Sequence, residues 1–381
     1  MRSPFKVSSQ CGRIAQVAVL LVAAVVGGSA VADITFVPGD YYASEGEAFV
    51  TGDPSLRTIT QYDSTTWQPV GQLIIPIELA DEIRGTAFGP DNLLYVTVVK
   101  NFVGSVLALD SSGTVQQTYP ILSNGISGGI YYGKIALDRH YLYVAGPFLV
   151  RYPLGNPLSS LILPTPNDLA NDVKPLPNGN LLVAMNNRID ELTVDGALVR
   201  HIPLVSTPFQ FFADVRGVEF DPITNSIFVT HLGYTGFESR LMRIDATTGV
   251  LQKDVLFINP LDILLDLSGD LVVTSGQEVP RFFTHDLDAM GTLGEEQRFF
   301  VTRFVPWPSF NGLPSSPLVR EAAGPNGTAV DFAISSIDLE SNPNNITIQP
   351  AAGSIFPIGT TSVTCTAIDR QSHITTNNFD V

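Results

Sequence analysis

Short apolar runs recur along most of this chain, and turn residues flank each of them. Apolar and polar positions alternate, or stay apolar for a few residues, which is typical of strands and not of helices. One four-residue motif consists of an apolar pair followed by valine and a small residue. It recurs near 48–51, 94–97, 142–145, 181–184, 227–230 and 271–274. Its aligned valines lie 39 to 48 residues apart.

Each copy of this motif lies between two turn signals. Pro177-Asn178-Gly179-Asn180 precedes one copy, and Asp245-Ala246-Thr247-Thr248-Gly249 follows another. Asp and Gly supply local hydrogen bonds and positive φ, so each repeat is predicted to hold four antiparallel strands. A period of this length indicates the blades of a β-propeller. Six copies fit between about residue 40 and residue 305, so we predict an all-β, six-bladed propeller over 33–305.

The ring of blades is predicted to close by joining both ends of the domain in one blade. We expect the strand near Asp40–Ser44 to complete the blade that the chain finishes near Phe299–Val301. Closure of this kind removes exposed sheet edges, which would otherwise pair with other chains.

The N-terminal residues have the composition of a secretory signal peptide. Arg2, Lys6 and Arg13 form a basic region, an apolar run covers 14–26, and Ala30-Val31-Ala32 is a small-residue cleavage site. The apolar run is shorter than the roughly 20 residues of a transmembrane helix. We therefore expect residues 1–32 to be removed, no transmembrane segment to remain, and the chain to be secreted or associated with the cell surface.

The chain is acidic, with a formal charge of −16 that becomes −19 without residues 1–32. Such a surface repels phosphate backbones and anionic lipids, which disfavours nucleic acid and membrane surfaces as partners. Cys11 would leave with the signal peptide, so Cys365 would be the single cysteine of the mature chain and no intrachain disulfide is expected.

The repeats resemble those of the NHL and YVTN β-propellers, whose blades carry a similar PDGxLYVT…I…D…G pattern. The resemblance implies the fold but not the function, because this scaffold serves binding proteins, lactonases and lyases alike. In propellers of this type the innermost strands begin at a face where ligands usually bind. Aligning the repeats brings six candidate ligand-binding residues to that mouth of the channel: Arg84, Asn171, Asp172, Asp214, Arg216 and Asp262.

Two interpretations of these six residues stay open. They hold a cation or an anionic small molecule, or they pair with one another across the channel and cap strand ends. Gluconolactonase-like and paraoxonase-like six-bladed propellers hold a catalytic calcium in such a place. The EGP motif of those enzymes is only partly matched here, by Glu45-Gly46-Glu47, so no cofactor is expected and calcium is the one alternative left open. His231, just after a motif copy, is a further residue that could reach one mouth.

The C-terminal part of the chain has a different composition. Residues 306–318 are rich in Pro, Ser and Gly, which is typical of a semi-rigid linker. Residues 319–381 resemble a hyalin repeat (HYR) domain, mainly over 353–369, which reads GSIFPIGTTSVTCTAID. The resemblance implies a small immunoglobulin-like β-sandwich of the kind used in extracellular adhesion.

Residue alternation places Val363, Cys365 and Ala367 on one buried face of this C-terminal domain. Ile348 and Asn377 stand where members of the HYR family carry cysteines. Cys365 is therefore predicted to be a small buried core residue, neither redox-active nor catalytic.

The sequence contains no H-E-x-x-H, P-loop, paired-cysteine or EF-hand motif. It favours a secreted, non-enzymatic binding or adhesion protein whose propeller is an interaction platform for an extracellular protein or glycan. The C-terminal domain would then be an adhesion or spacer module. The alternative is a calcium-dependent lactonase or hydrolase that uses the channel carboxylates. Catalytic residues and metal ligands are not identified by the sequence.

Overall fold

The computed structural model describes residues 31–32, 34–44, 54–121, 133–165, 169–202, 204, 214–233, 239–315, 317–337 and 345–381. The predicted signal peptide lies outside these ranges except for its last two residues. In the described ranges the regular secondary structure is β-strand, apart from one short 3-10 helix at Pro54–Arg57. None of the helical structure described is long and apolar enough to cross a membrane.

The propeller strands of the described ranges form six antiparallel blades in one ring, five of them four-stranded and blade 1 five-stranded. Blade 1 begins with β1 (Val31–Ala32), β2 (Tyr41–Ser44), β3 (Thr58–Tyr62) and β4 (Pro69–Ile74). Blade 2 holds β5 (Glu82–Phe88), β6 (Leu94–Lys100), β7 (Val103–Leu109) and β8 (Val115–Pro120). Blade 3 holds β9 (Ile135–Leu137), β10 (Tyr141–Val144), β11 (Leu149–Pro153) and β12 (Leu161–Leu163).

The other three blades continue in chain order. Blade 4 holds β13 (Ala170–Pro175), β14 (Leu181–Met185), β15 (Ile189–Leu192) and β16 (Leu198–Ile202). Blade 5 holds β17 (Asp214–Asp221), β18 (Ser226–Leu232), β19 (Arg240–Asp245) and β20 (Leu251–Leu256). Blade 6 holds β21 (Pro260–Leu265), β22 (Leu271–Ser275), β23 (Arg281–Phe283) and β24 (Ala289–Thr292).

Blade 1 is built from both ends of the propeller. Strand β25 (Phe300–Arg303) is its innermost strand and pairs antiparallel with β2, with Tyr42 opposite Thr302. The predicted ring closure is therefore confirmed. The first motif copy was placed wrongly, because Tyr41–Ser44 and not 48–51 is the second strand of blade 1; residues 48–51 lie outside the described part of the chain.

The hydrophobic core of the propeller lies between the blades. The innermost strands β25, β5, β9, β13, β17 and β21 contact their neighbours around the whole ring. Within the described residues, six hydrophobic clusters each join two adjacent blades. Leu94 and Val96 of β6 pack toward blade 1, whereas Tyr95 packs toward blade 3. Because both faces of a blade are buried, its second strand is a continuous apolar run, and this is the motif seen in the sequence.

The C-terminal residues form a separate small β-sandwich. Strand β26 (Ser309–Asn311) pairs with β28 (Ser335–Ile337), and β27 (Thr328–Ala329) pairs with β30 (Ile355–Phe356). Strands β29 (Asn345–Gln349), β31 (Ser362–Ile368) and β32 (Ile374–Asp380) form a three-stranded sheet. Val363, Cys365 and Ala367 are fully buried, as their alternation predicted. Part of the Pro-rich segment 306–318 belongs to this domain, since β26 lies within it and Phe310 packs on the domain core.

One loop of the C-terminal domain, residues 369–373, docks on the propeller; we call it the docking loop. Arg370 forms an ion pair with Asp221 of blade 5 at 2.8 Å. Gln371 Nε2 donates a buried hydrogen bond of 2.7 Å to the carbonyl oxygen of Leu265 in blade 6. The two domains are therefore in direct contact. Linker composition alone cannot reveal a contact that depends on a distant loop.

Candidate functional site

The central channel of the ring has two mouths. The innermost strands begin at one end, which we call the upper mouth, and finish at the other end, the lower mouth. Three of the predicted ligand-binding residues form local ion pairs where β5 and β17 begin. Arg84 pairs with Glu82 at 2.7 Å and Arg216 pairs with Asp214 at 2.9 Å. Each pair lies within one strand, so these charges are balanced by their own neighbours.

Two predicted residues from different blades meet at one lysine that the sequence reasoning missed. The ammonium of Lys134, at the start of blade 3, lies 2.7 Å from Asp262 Oδ1 and 3.3 Å from Asp172 Oδ2. It also donates to the carbonyl oxygens of Leu261 at 2.8 Å and Arg216 at 2.9 Å. One cation from blade 3 thus joins blades 4, 5 and 6 at the centre of the ring.

The two carboxylates of this Lys134 cluster are also bound by backbone groups. Asp172 Oδ2 accepts from the amide of Val218 at 3.0 Å, and Asp262 Oδ2 accepts from the amide of Val301 at 3.1 Å. These two backbone hydrogen bonds connect the cluster to blade 5 and to blade 1. The cluster therefore spans five of the six blades.

Burial and charge act in opposite directions in this cluster. Burial alone would lower the pKa of Lys134, but the carboxylates of Asp172 and Asp262 raise it above its ordinary value. Burial raises the pKa of Asp172, and the neighbouring Lys134 only partly offsets that rise. Lys134 is therefore held as a cation. Its side chain is only 10% exposed, so the ion pairs are shielded from solvent.

A signal for Lys134 does exist in the repeats. In blades 2 to 6, one residue of the innermost strand pairs with the motif valine of the second strand. The residue just before it, taken blade by blade, is Gly85, Lys134, Asp172, Gly217 and Asp262. These equivalent positions form one layer across the channel. Gly217 leaves room for the lysine, because a Cβ there would lie 3.1 Å from Lys134 Nζ and 2.7 Å from Thr230 Oγ1. Aligning blade 3 at this position would have placed Lys134 among the carboxylates.

Asn171 and His231 are both buried in strands of the propeller. Asn171 Nδ2 donates 2.7 Å to the carbonyl oxygen of Val215, which ties blade 4 to blade 5. His231 is buried in the second strand of blade 5, and burial lowers its pKa, with the nearby Arg240 adding to the effect. Within the described ranges, no three His, Cys, Asp or Glu side chains are grouped to hold a metal ion.

The docking loop closes the lower mouth. A cavity of about 100 Å³ lies inside the channel, with the Lys134 cluster at one end and Gln371, Ser372 and His373 at the other. The cavity has room for a few water molecules. Glu219 and Lys174 form an ion pair of 2.8 Å on its wall, and burial raises the pKa of Glu219 despite this lysine.

A much larger groove lies between the propeller and the C-terminal domain; we call it the interdomain groove. Its volume is about 1020 Å³. Strand ends and turns of blades 4, 5 and 6 supply one wall, among them Pro177, Phe220, Ile223 and Leu267. Residues 368–370 supply the opposite wall. The groove is therefore lined mostly by the propeller, and the C-terminal domain completes one side of it.

Comparisons with known proteins concern the propeller. The sequence matches no protein-family model and no curated protein. Among solved structures, the chain is similar to a Bacteroides caccae protein of unknown function, with 12% identity, a TM-score of 0.49, and coverage of 70% of this chain and 98% of that one. A chain of the nidogen/laminin complex matches with 14% identity, TM-score 0.49, and coverage of 69% and 96%. Virginiamycin B lyase from Staphylococcus aureus matches with 13% identity, TM-score 0.45, and coverage of 68% and 85%.

Proposed function

We propose that this chain is an exported, non-enzymatic binding protein. Its propeller is the interaction platform for an extracellular protein or glycan. Its C-terminal domain, which resembles a HYR domain, is an adhesion or spacer module. The signal-peptide composition of residues 1–32 supports export, and the large interdomain groove supports binding.

The observation that carries the proposal is the position of the Lys134 ammonium. A calcium-dependent lactonase or hydrolase of the propeller type would need the channel carboxylates as metal ligands. Here Asp172 and Asp262 face Lys134 Nζ, which takes the place of a bound cation between them. Two further channel-mouth residues, Arg84 and Arg216, are neutralised by carboxylates of their own strands. The polar groups at the ring centre thus hold the blades together.

Calcium binding distinguishes the proposed binding protein from a calcium-dependent hydrolase. A micromolar site at millimolar calcium would stabilise the fold by about 4 kcal/mol, because stabilisation grows as RT ln(1 + [L]/Kd). We expect the thermal midpoint of the chain from residue 33 onward to be the same in calcium and in chelator. The same protein should leave a panel of lactones unhydrolysed. A calcium-dependent shift together with lactone turnover that Asp262→Asn abolishes would contradict the proposal.

Binding itself is tested with the same protein on a glycan array and in pull-downs from extracellular fractions. We expect saturable capture of a defined ligand, with bovine serum albumin as the negative control. Mass spectrometry of the exported chain should find Asp33 as the first residue. A protein that stays intact at Met1, or that captures nothing while turning over a lactone, would rule out the proposal.

A further inference from the structure

The turn between β17 and β18 carries a carboxylate that both domains use. Asp221 begins this turn, and its Oδ1 accepts a hydrogen bond from the amide of Ile223 at 2.9 Å, a local bond that Asp often makes in turns. Its Oδ2 accepts from the hydroxyl of Thr224 at 2.8 Å and from the guanidinium of Arg370 at 2.8 Å. The Asp221 side chain is completely buried. One buried carboxylate of blade 5 therefore holds the docking loop.

A histidine of blade 6 contacts the same carboxylate. His285 Nε2 lies 3.0 Å from Asp221 Oδ2, and His285 Nδ1 lies 3.1 Å from Nη1 of Arg243. A guanidinium only donates hydrogen bonds, so Nδ1 has to be the unprotonated nitrogen of the ring. The Nε2 proton is then donated to Asp221, with Thr224 Oγ1 as a second acceptor at 3.0 Å. These contacts assign the neutral imidazole to His285.

The protonated imidazole does not fit the same contacts, because a proton on Nδ1 would face an N–H group of Arg243. Two further carboxylates lie nearby. Asp286 pairs with Arg243 but is 74% exposed, so water screens its charge. Asp270 accepts from the backbone amide of His285, and burial raises the pKa of this carboxyl group. In the described part of the chain neither carboxylate is hydrogen-bonded to the imidazole ring.

The docking loop and a proton on His285 oppose each other. Burial lowers the pKa of His285, Arg243 lowers it further, and Arg370 adds to this effect against the opposing charge of Asp221. Burial would raise the pKa of Asp221, but hydrogen bonds from Arg370 and Thr224 hold it below its ordinary value, so Asp221 stays ionised in mild acid.

Release of the docking loop removes Arg370 and admits water, so the pKa of His285 rises towards its ordinary value of about 6.5. A proton therefore binds the released state more tightly than the docked state. Docking is strongest above this pH range and weakens as the pH falls through it.

The remaining contacts between the two domains are polar. The hydrophobic clusters of the described residues each stay within one domain. Besides the Arg370 ion pair, Gln371 donates to the carbonyl oxygen of Leu265 at 2.7 Å, and Arg139 donates to that of Thr376 at 2.8 Å. Polar contacts between domains permit relative motion, so the balance of charge at one buried ion pair affects docking strongly.

We propose that protonation of His285 releases the docking loop from the propeller and thereby opens the lower mouth of the channel. His285 senses the pH, Asp221 is the carboxylate that it shares with the C-terminal domain, and Arg370 is the group that leaves. The channel cavity, which Gln371 and Ser372 close in the docked state, is then open to solvent. The switch goes beyond the proposed binding function and does not depend on the identity of the ligand.

Docking is measured by fluorescence resonance energy transfer within the chain from residue 33 onward. The dyes are attached through Leu158→Cys on blade 3 and Ile358→Cys in the C-terminal domain, where the native side chains are 87% and 69% exposed. Cys365 is buried and stays unlabelled. Far-UV circular dichroism at the same pH values distinguishes release from unfolding.

The decisive variant is His285→Gln. Glutamine keeps one N–H donor for Asp221 and one acceptor for Arg243 but takes up no proton. His140→Asn is the matched control, because His140 is exposed at a turn of blade 3.

We expect the docking constant of the unchanged chain to fall at least about threefold between pH 7.5 and pH 5.5. A proton that binds the released state about tenfold more tightly lowers that constant by up to about tenfold. His140→Asn should behave like the unchanged chain, whereas His285→Gln should stay docked at both pH values.

Arg370→Gln tests the reciprocal effect. It should be less docked at both pH values, and the pKa of His285, followed by the NMR signals of its ring protons, should be higher than in the unchanged chain. This comparison tests the coupling even where His285→Gln does not fold.

Three outcomes would overturn the switch. The first is energy transfer in the unchanged chain that stays constant from pH 7.5 to pH 5.5. The second is acid release that persists in His285→Gln, which would point to the Asp270 carboxyl group instead. The third is an equal pKa of His285 in the unchanged chain and in Arg370→Gln. Failure of the binding function would appear separately, in the glycan array and the pull-downs.

Discussion

Replacing Lys134 by methionine tests whether the cation at the ring centre joins the blades. Methionine keeps the length and apolar stem of the side chain but removes the charge. The variant loses four contacts, with oxygens of Asp262, Leu261, Arg216 and Asp172 at 2.7, 2.8, 2.9 and 3.3 Å. It also leaves two carboxylates buried side by side without a counter-ion.

Removal of one partner from a buried ion pair costs about 3–5 kcal/mol, since the remaining charge is uncompensated. In a domain of this size the loss corresponds to a fall of about 10 °C in Tm. The loss should shrink as the pH falls, because burial raises the pKa of Asp172 and its protonation removes the repulsion between the two carboxyl groups. The double variant Lys134→Met/Asp262→Asn should recover part of the stability at neutral pH, since only one buried carboxylate then remains.

The assay is urea unfolding followed by far-UV circular dichroism at pH 7 and pH 5. Lys100→Met is the matched control, because Lys100 pairs with Asp81 at 2.7 Å with both side chains about 30% exposed. An exposed pair of this kind contributes at most about 1 kcal/mol. A Lys134→Met variant as stable as the Lys100→Met control would refute the role given to the central lysine.

Gly217→Ala should cost about 1–3 kcal/mol, because its Cβ would press on Thr230 and Lys134; unfolding curves check this, and an unchanged midpoint would contradict it. Burial lowers the pKa of His231, so the unfolded chain takes up a proton as the pH falls below about 6.5 while the folded state does not. Stability should therefore fall with the pH, and fall less in His231→Asn, as thermal melts between pH 7.5 and pH 5 would show. Cys365 is buried with a raised pKa, so it should react with a thiol reagent only after denaturation; rapid labelling of the native chain would count against this. Deletion of residues 33–45 removes β2 and should open the ring, so size-exclusion chromatography should detect aggregates instead of a monomer.

The regular elements could be predicted because each depends on local chemistry. Strands such as Leu94–Lys100 are apolar on both faces, since each blade is covered by two neighbours, and this property repeats along the sequence. Turn residues mark the ends of the strands. The run 48–51 was predicted wrongly as the second strand of blade 1 because composition alone does not show pairing, and only the pairing with β25 shows that Tyr41–Ser44 fills that place.

The candidate site depends on contacts between distant residues, so the sequence determined it only in part. Alignment of the repeats brought Asp172 and Asp262 to one mouth of the channel, but Lys134 joins them from a third blade across 38 residues or more of chain. Likewise, residues 369–373 have the local composition of any hairpin loop. Their place against Asp221 and Leu265 follows from how two finished domains pack, and this packing adds one side to the interdomain groove. The sequence by itself determined the strands, the number of blades and the buried face of the C-terminal domain, because periodicity and turn chemistry are local. Only the tertiary structure decided which charges neutralise one another and where an open binding surface remains, because both depend on atoms brought together by ring closure and domain docking.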